Sequence, residues 1–141
     1  MEKLYTAIAH ATHGREGHVE TQDGILKFDL GMPKSMGGKE DGKVNPEQLF
    51  ACGYSACFGS AVKAIAKKKG HNINEAHVFA EVTIGKNPDG GFQLAVELKV
   101  HIPEVTHKEA QDIVEGAHQI CPYSKATRGN VDVKLTVLDK L

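Results

Sequence analysis

The chain carries almost no net charge, −1 over 141 residues, so it offers no basic field to attract nucleic acid or an anionic membrane. No stretch approaches the roughly 20 apolar residues of a membrane span. The opening segment MEKLYTAIAHATHGREG lacks the basic stretch followed by an apolar one that marks a signal peptide. These absences lead us to expect a cytoplasmic protein with neither nucleic acid nor membrane as partner. The sequence has no CxxC and no HExxH-type spacing among its eight histidines. His10, His13 and His18 fall at a strand and its turn, so no metal and no cofactor is expected. The Gly14/Gly17 and Gly37-Gly38 pairs do not stand between a strand and a helix as a phosphate loop requires, and no Ser-His-Asp arrangement can be identified. Repeats, low-complexity tracts and linkers are also missing, which suggests a single domain over residues 1–141. There are only three cysteines. In a reducing compartment an odd number reads as chemistry or packing before structural disulfides.

What is present is patterned. Leu4–Thr12 alternates as a strand, and His18–Thr21 and Leu26–Leu30 flank Asp23-Gly24 as a hairpin. The glycine- and lysine-rich segment Gly31–Val44 reads as a loop long enough for a lid or pocket rim. Asn45-Pro46-Glu47-Gln48 has the form of a helix start, with Asn45 as cap, Pro46 first in the helix and Gln48 placed to reach back. That helix should run to about Lys69 and stop at Gly70. Its apolar residues (Leu49, Phe50, Cys52, Ala56, Cys57, Phe58, Ala61, Val62, Ile65) exceed one stripe, which suggests a central helix buried on most sides. Lys67, Lys68 and Lys69 beside its C-terminal end read as a solvated helix end or an anion site. Two alternating strands, Val78–Ile84 and Phe92–Ile102, surround the turn Asn87–Gly91. Thr106 and Glu109 form a capping box for a second helix with Ala110, Ile113, Val114 and Ala117 on its apolar face. Cys121-Pro122 breaks it, and Val131–Val137 forms a last strand. The order specifies α+β, an antiparallel sheet packed on a long buried helix.

Cys57 stands in the middle of the first helix, and apolar surroundings make a thiol inert unless a cation holds the thiolate. Arg15, in the turn Gly14–Gly17, is the candidate cation, or else an exposed turn arginine. Cys121 could cap the short turn that begins at Pro122 and take its free N–H groups, or simply end a helix in the core. Cys52, about 140° around the helix from Cys57, is expected to serve packing. Glu47 at the helix start favours the positive end of the macrodipole.

The segments NPEQLFACGYSACF (45–58) and CPYSKATRGNVDV (121–133) resemble the organic hydroperoxide resistance branch of the Ohr/OsmC superfamily, and GGFQLAVELKVHIP (90–103) and ATHGREG (11–17) fit the same pattern. The resemblance spans nearly the whole chain. One departure is Cys52, where the family usually has alanine. The resemblance implies an OsmC/Ohr-like fold, a peroxidatic role for Cys57 and a resolving role for Cys121. It makes Arg15 the arginine that activates the thiolate and Glu47 the carboxylate that holds that arginine. It also implies an intertwined homodimer with sites at the subunit interface, and a dithiol reductant of the dihydrolipoyl type. The chemistry suits these residue types, because a thiolate attacked by peroxide gives a sulfenic acid that a second thiol condenses to a disulfide. Phe50, Phe58 and the Gly31–Val44 loop are expected to wall an apolar site for an alkyl or fatty-acyl hydroperoxide.

Glu47 and Cys57 lie ten residues apart on one helix, a rise of roughly 15 Å. An Arg15–Glu47 pair beside the thiol of the same chain is then hard to build. We therefore expect an isologous dimer whose sites are shared between chains, a second subunit bringing its Glu47, with or without its Arg15, to this chain's Cys57. The alternatives are an OsmC-like peroxidase of broader range and a non-catalytic thiol sensor or ligand-binding module.

Overall fold

A computed structural model describes residues 1–39 and 41–141; Glu40, inside the expected loop 31–44, lies outside the described residues. Two compact units divide the chain, Met1–Leu49 and Phe50–Leu141.

The first unit is a small antiparallel sheet, β1 (Ala9–Thr12), β2 (His18–Thr21) and β3 (Lys27–Asp29), in that order. The strand expected from Leu4 starts only at Ala9; just ahead of it Ile8 O accepts from Gln22 N–H at 2.9 Å, one bond beyond the strand's end. The hairpin at Asp23-Gly24 forms as expected: the Asp23 carboxylate accepts from the Thr21 hydroxyl at 2.6 Å and from Ile25 N–H at 3.0 Å, while Gly24 takes φ +71°. Between β1 and β2 a 3-10 turn, Gly14–Glu16, carries Arg15. The segment after β3 returns to the sheet: Gly31 N–H donates to Val44 O at 3.0 Å, and Leu30, buried, bridges to Val44.

The long helix α1 (Pro46–Lys68) begins in the first unit and continues through the second. Its cap is reciprocal: Gln48 N–H donates to Asn45 Oδ1 at 2.9 Å, and Asn45 N–H donates to Gln48 Oε1 at 3.0 Å. At the other end Gly70 adopts φ +85°. His71 N–H then reaches Ala66 O and Gly70 N–H reaches Lys67 O, the paired bonds of a Schellman stop that needs a left-handed residue.

The second unit packs the rest of α1 with helix α2 (His107–Ile120) against a sheet of β4 (His77–Lys86), β5 (Phe92–His101) and β6 (Asp132–Val137). Cross-strand partners on the inner face form three apolar rungs: Val82–Val96–Val133, Ala80–Leu98–Leu135 and Val78–Val100–Val137. Tyr54, Phe58, Val62 and Ile65 of α1 and Ile113, Val114 and Ala117 of α2 complete the core with them. Phe58 and Leu98 are fully buried, each contributing about 2 kcal/mol through area removed from water. The outer face is polar, with Glu97 receiving Lys134 at 2.9 Å and Thr136 at 2.7 Å. The α+β class is as expected, but β6 pairs parallel with β5, so this sheet is mixed. A parallel neighbour needs a crossover, which here is α2 together with the short helix α3 (Pro122–Thr127).

α1 is long and apolar enough, by mean hydropathy of 1.4, to cross a membrane, contrary to the expectation that no stretch approaches a span. Its large side chains lie in the protein core instead. The expectation of burial on most sides also needs correction: Cys52, Ala56, Ser60 and Ala64 are exposed in the single chain. The pattern was apolar because small residues populate this face, and nothing among the described residues covers them.

Candidate active site

Cys57 and Cys121 meet inside the second unit. α1 presents Cys57, half-buried; α2 ends and α3 begins at Cys121, fully buried. Cys121 is the corner residue between the helices: its N–H donates to Ala117 O and its carbonyl accepts from Lys125 N–H at 3.0 Å. Pro122, first in α3, forces Cys121 into an extended conformation, φ −59° and ψ 125°. The sulfurs are 3.5 Å apart, with the Cys121 thiol donating to Cys57 Sγ. No disulfide joins them in this structure.

The electrostatics of this pair differ from the sequence expectation in one respect. The side chain of Cys121 makes no capping bond to α3. The free N–H of Tyr123 acts on Cys57 instead, favouring its thiolate. Burial is the larger influence and pushes the Cys57 thiol above its ordinary value, and the neighbouring Cys121 adds to that rise. The surroundings supplied by Phe50–Leu141 therefore favour the protonated thiol. A positive charge near the sulfur would favour the thiolate.

In the first unit, Arg15 and Glu47 form a fork-to-fork pair. Arg15 Nη1 donates to Glu47 Oε2 at 2.8 Å and Nη2 to Oε1 at 2.7 Å. The turn presenting Arg15 is preceded by His13 at φ +57° and Gly14 at φ +55°, an unusual conformation for a histidine. It also depends on Gly17, where a Cβ would stand 1.7 Å from Thr12 O. The guanidinium holds the Glu47 carboxyl below its ordinary value, burial opposing. Glu47 is 13% exposed and Arg15 36%, so Arg15 keeps N–H groups on the open side while its orientation is set from behind.

Phe58 is fully buried in the core and presents no surface to a substrate. Phe50, the other expected wall residue, is half-buried, its ring 6.0 Å from that of the exposed Tyr123, an aromatic neighbour that the sequence reading did not name. The Gly31–Val44 segment borders a hollow of about 260 Å³ lined by Glu16, Leu30, Gly31, Met32, Lys39 and Lys43. That lining is mixed in character, not the apolar wall expected. Cys52, expected in packing, is exposed, because it lies on the open face of α1. No group of three or more metal-binding side chains occurs among the described residues.

A buried polar cluster beside the sulfurs was not anticipated. The Tyr54 hydroxyl is hydrogen-bonded to Ser124 Oγ at 2.9 Å and Thr127 Oγ1 at 3.2 Å, and Ser124 Oγ to His118 Nδ1 at 2.9 Å. Part of its signal was present in CPYSKAT, where Ser124 and Thr127 stand three residues apart, about one helical turn.

Residues 38–136 match the family described as OsmC-like protein. The chain is 47% identical over 135 residues to the organic hydroperoxide resistance protein OhrB of Bacillus subtilis, covering 94% of this chain and 96% of that one. It is equally similar, at 47% over 135 residues, to an organic hydroperoxide resistance protein of Xanthomonas axonopodis, covering 95% and 94%. Among solved structures, an organic hydroperoxide resistance protein from Elizabethkingia anophelis superposes with a TM-score of 0.92 at 53% identity, covering 99% of this chain and 100% of that one.

Proposed function

Because the chain belongs to the OsmC-like family, among the organic hydroperoxide resistance proteins, we propose that it is a thiol peroxidase that reduces organic hydroperoxides to alcohols. The observation that carries this reading is the 3.5 Å approach of the Cys57 and Cys121 sulfurs. The Cys57 thiolate attacks one peroxide oxygen; the O–O bond breaks, an alkoxide leaves and takes a proton, and Cys57 becomes a sulfenic acid. Cys121 then attacks that sulfur, water departs, and a disulfide forms before a second peroxide can over-oxidise the site. A dithiol of the lipoyl type, free or on a protein, takes the disulfide back to two thiols while it is itself oxidised.

Arg15 is assigned the charge that Cys57 lacks. A guanidinium beside the sulfur offsets the cost of ionising a buried thiol and steadies charge moving onto oxygen. Glu47 holds it in place. The pair is supplied by the partner in a homodimer. Supporting a second copy are the open small-residue face of α1 and the exposed apolar side chains Leu4, Tyr5, Ile8, Ile25 and Leu26. Phe50 and Tyr123 favour an organic peroxide over hydrogen peroxide.

Peroxide consumption with a dithiol tests the assignment. Cys57→Ser should abolish it, and Cys121→Ser should give one turnover followed by sulfinic acid. Oxidation once, without sustained peroxide loss, would make the protein a sensor and refute the enzyme. Mixing Cys57→Ser and Arg15→Met subunits tests the shared site: activity returns only if one chain's arginine serves the other's thiol.

A further inference from the structure

We propose that Tyr54, Ser124 and His118 form a clamp that positions Cys121 for disulfide closure; this rests on the assignment of Cys57 and Cys121 as a redox pair. The three side chains come from the three helices that hold the sulfurs. Tyr54 precedes Cys57 on α1 by three residues, His118 precedes Cys121 on α2 by three, and Ser124 follows Cys121 by three. Each of these residues is therefore about one helical turn along the chain from a cysteine.

The bonds run Tyr54 hydroxyl to Ser124 Oγ, 2.9 Å, and Ser124 Oγ to His118 Nδ1, 2.9 Å. Thr127 extends the cluster, lying 3.2 Å from the Tyr54 hydroxyl and donating to Tyr123 O at 3.0 Å. Arg128 reaches back to His118 O, tying the end of α3 to α2. Tyr54 and Ser124 are fully buried, and no buried side-chain polar atom among the described residues lacks a partner. Apolar side chains would fill this space at less cost in desolvation. The polar arrangement adds direction: hydrogen bonds fix the rotation of a helix that apolar contacts alone would leave free to slide.

α3 has need of such a constraint. It is six residues long, too short to hold its own geometry, yet it begins at the resolving cysteine. Gly53 lets it lie close on α1, since a Cβ there would stand 3.0 Å from the Tyr123 hydroxyl. The clamp sets where Cys121 Sγ stands when Cys57 is a sulfenic acid. None of the three side chains hydrogen-bonds to a sulfur, so these are positioning residues. They govern the step in which Cys121 displaces water from the sulfenic acid, not the attack on peroxide.

Single-turnover oxidation with cumene hydroperoxide separates the two steps, reading thiol loss for attack and disulfide formation by mass spectrometry for closure. Tyr54→Phe keeps the ring and deletes the hydroxyl; Ser124→Ala deletes the other end of the same bond. Each should leave attack within about twofold and slow closure about tenfold, the factor expected for one buried hydrogen bond. Sulfinic acid should accumulate in proportion. The double variant should be slowed by less than the product of the two single effects, because the Tyr54–Ser124 bond is lost in both while the bonds to Thr127 and His118 are each lost in only one. Closure at the wild-type rate in both variants overturns the clamp. A parallel fall in both steps also overturns it, since that marks general loss of structure. If wild-type protein forms no Cys57–Cys121 disulfide at all, the redox assignment itself fails, a result distinct from failure of the clamp.

Discussion

Oxidation of the Cys57–Cys121 pair should make the protein markedly more resistant to heat. The two residues are 64 positions apart in sequence, so a bond between them removes the entropy of a long loop from the unfolded chain, about 4 kcal/mol. Against this stands strain. The sulfurs start 3.5 Å apart and must close to about 2.05 Å. With the helices held, each side chain turns away from its preferred rotamer, at about 1 kcal/mol each. The net gain is about 2 to 4 kcal/mol. Unfolding entropy of about 2.1 cal/mol/K per residue turns that into a rise in Tm of about 7 to 13 °C. Circular dichroism melts of reduced and stoichiometrically oxidised protein, at one fixed protein concentration, measure it, and Cys121→Ser should show no such rise. A confirmed disulfide with Tm unchanged or lowered would refute the reasoning. It would mean that closure tears apart the packing of α1 on α3, and that the short sulfur–sulfur distance does not reflect a site prepared for the bond.

Two further outcomes follow from the first unit. Gly17→Ala should cost about 2 to 3 kcal/mol, because its Cβ would stand 1.7 Å from the Thr12 carbonyl oxygen and a backbone atom cannot swing aside; an unchanged urea midpoint would rule out this turn geometry. Glu47 gives an acid dependence whose sign follows from its partner. Its folded value lies below the ordinary 4.5, so the stabilisation is complete above that pH and is lost as pH falls through the folded value. The loss is about 1 kcal/mol for a partly exposed forked pair. Urea unfolding across the acid range should show it in wild type and not in Glu47→Gln; identical slopes would argue against the pair.

The local rules of the chain were legible in its letters. Asn45-Pro46-Glu47-Gln48 capped α1 as its spacing indicated, Gly70 stopped it, and Thr106 with Glu109 started α2. These features depend on neighbours a few residues away, where side-chain chemistry and backbone angle decide the outcome together. Alternation of apolar residues likewise identified β4, β5 and β6 and the α+β class. Alternation is blind to strand direction, however, and the parallel pairing of β6 with β5 depended on the path of the crossover. Composition could not tell a buried apolar face from an open one, so the exposure of Cys52 and Ala56 and the full burial of Phe58 came only from packing. The family resemblance named Cys57 and Cys121, but sequence supplied no distance between them. Their approach, the direction of the Tyr123 N–H toward Cys57, and the hydroxyl cluster around Tyr54 join residues some 64 to 73 positions apart. Such contacts arise when three helices settle on one sheet, because the energy of packing belongs to the surfaces brought together and not to any one segment.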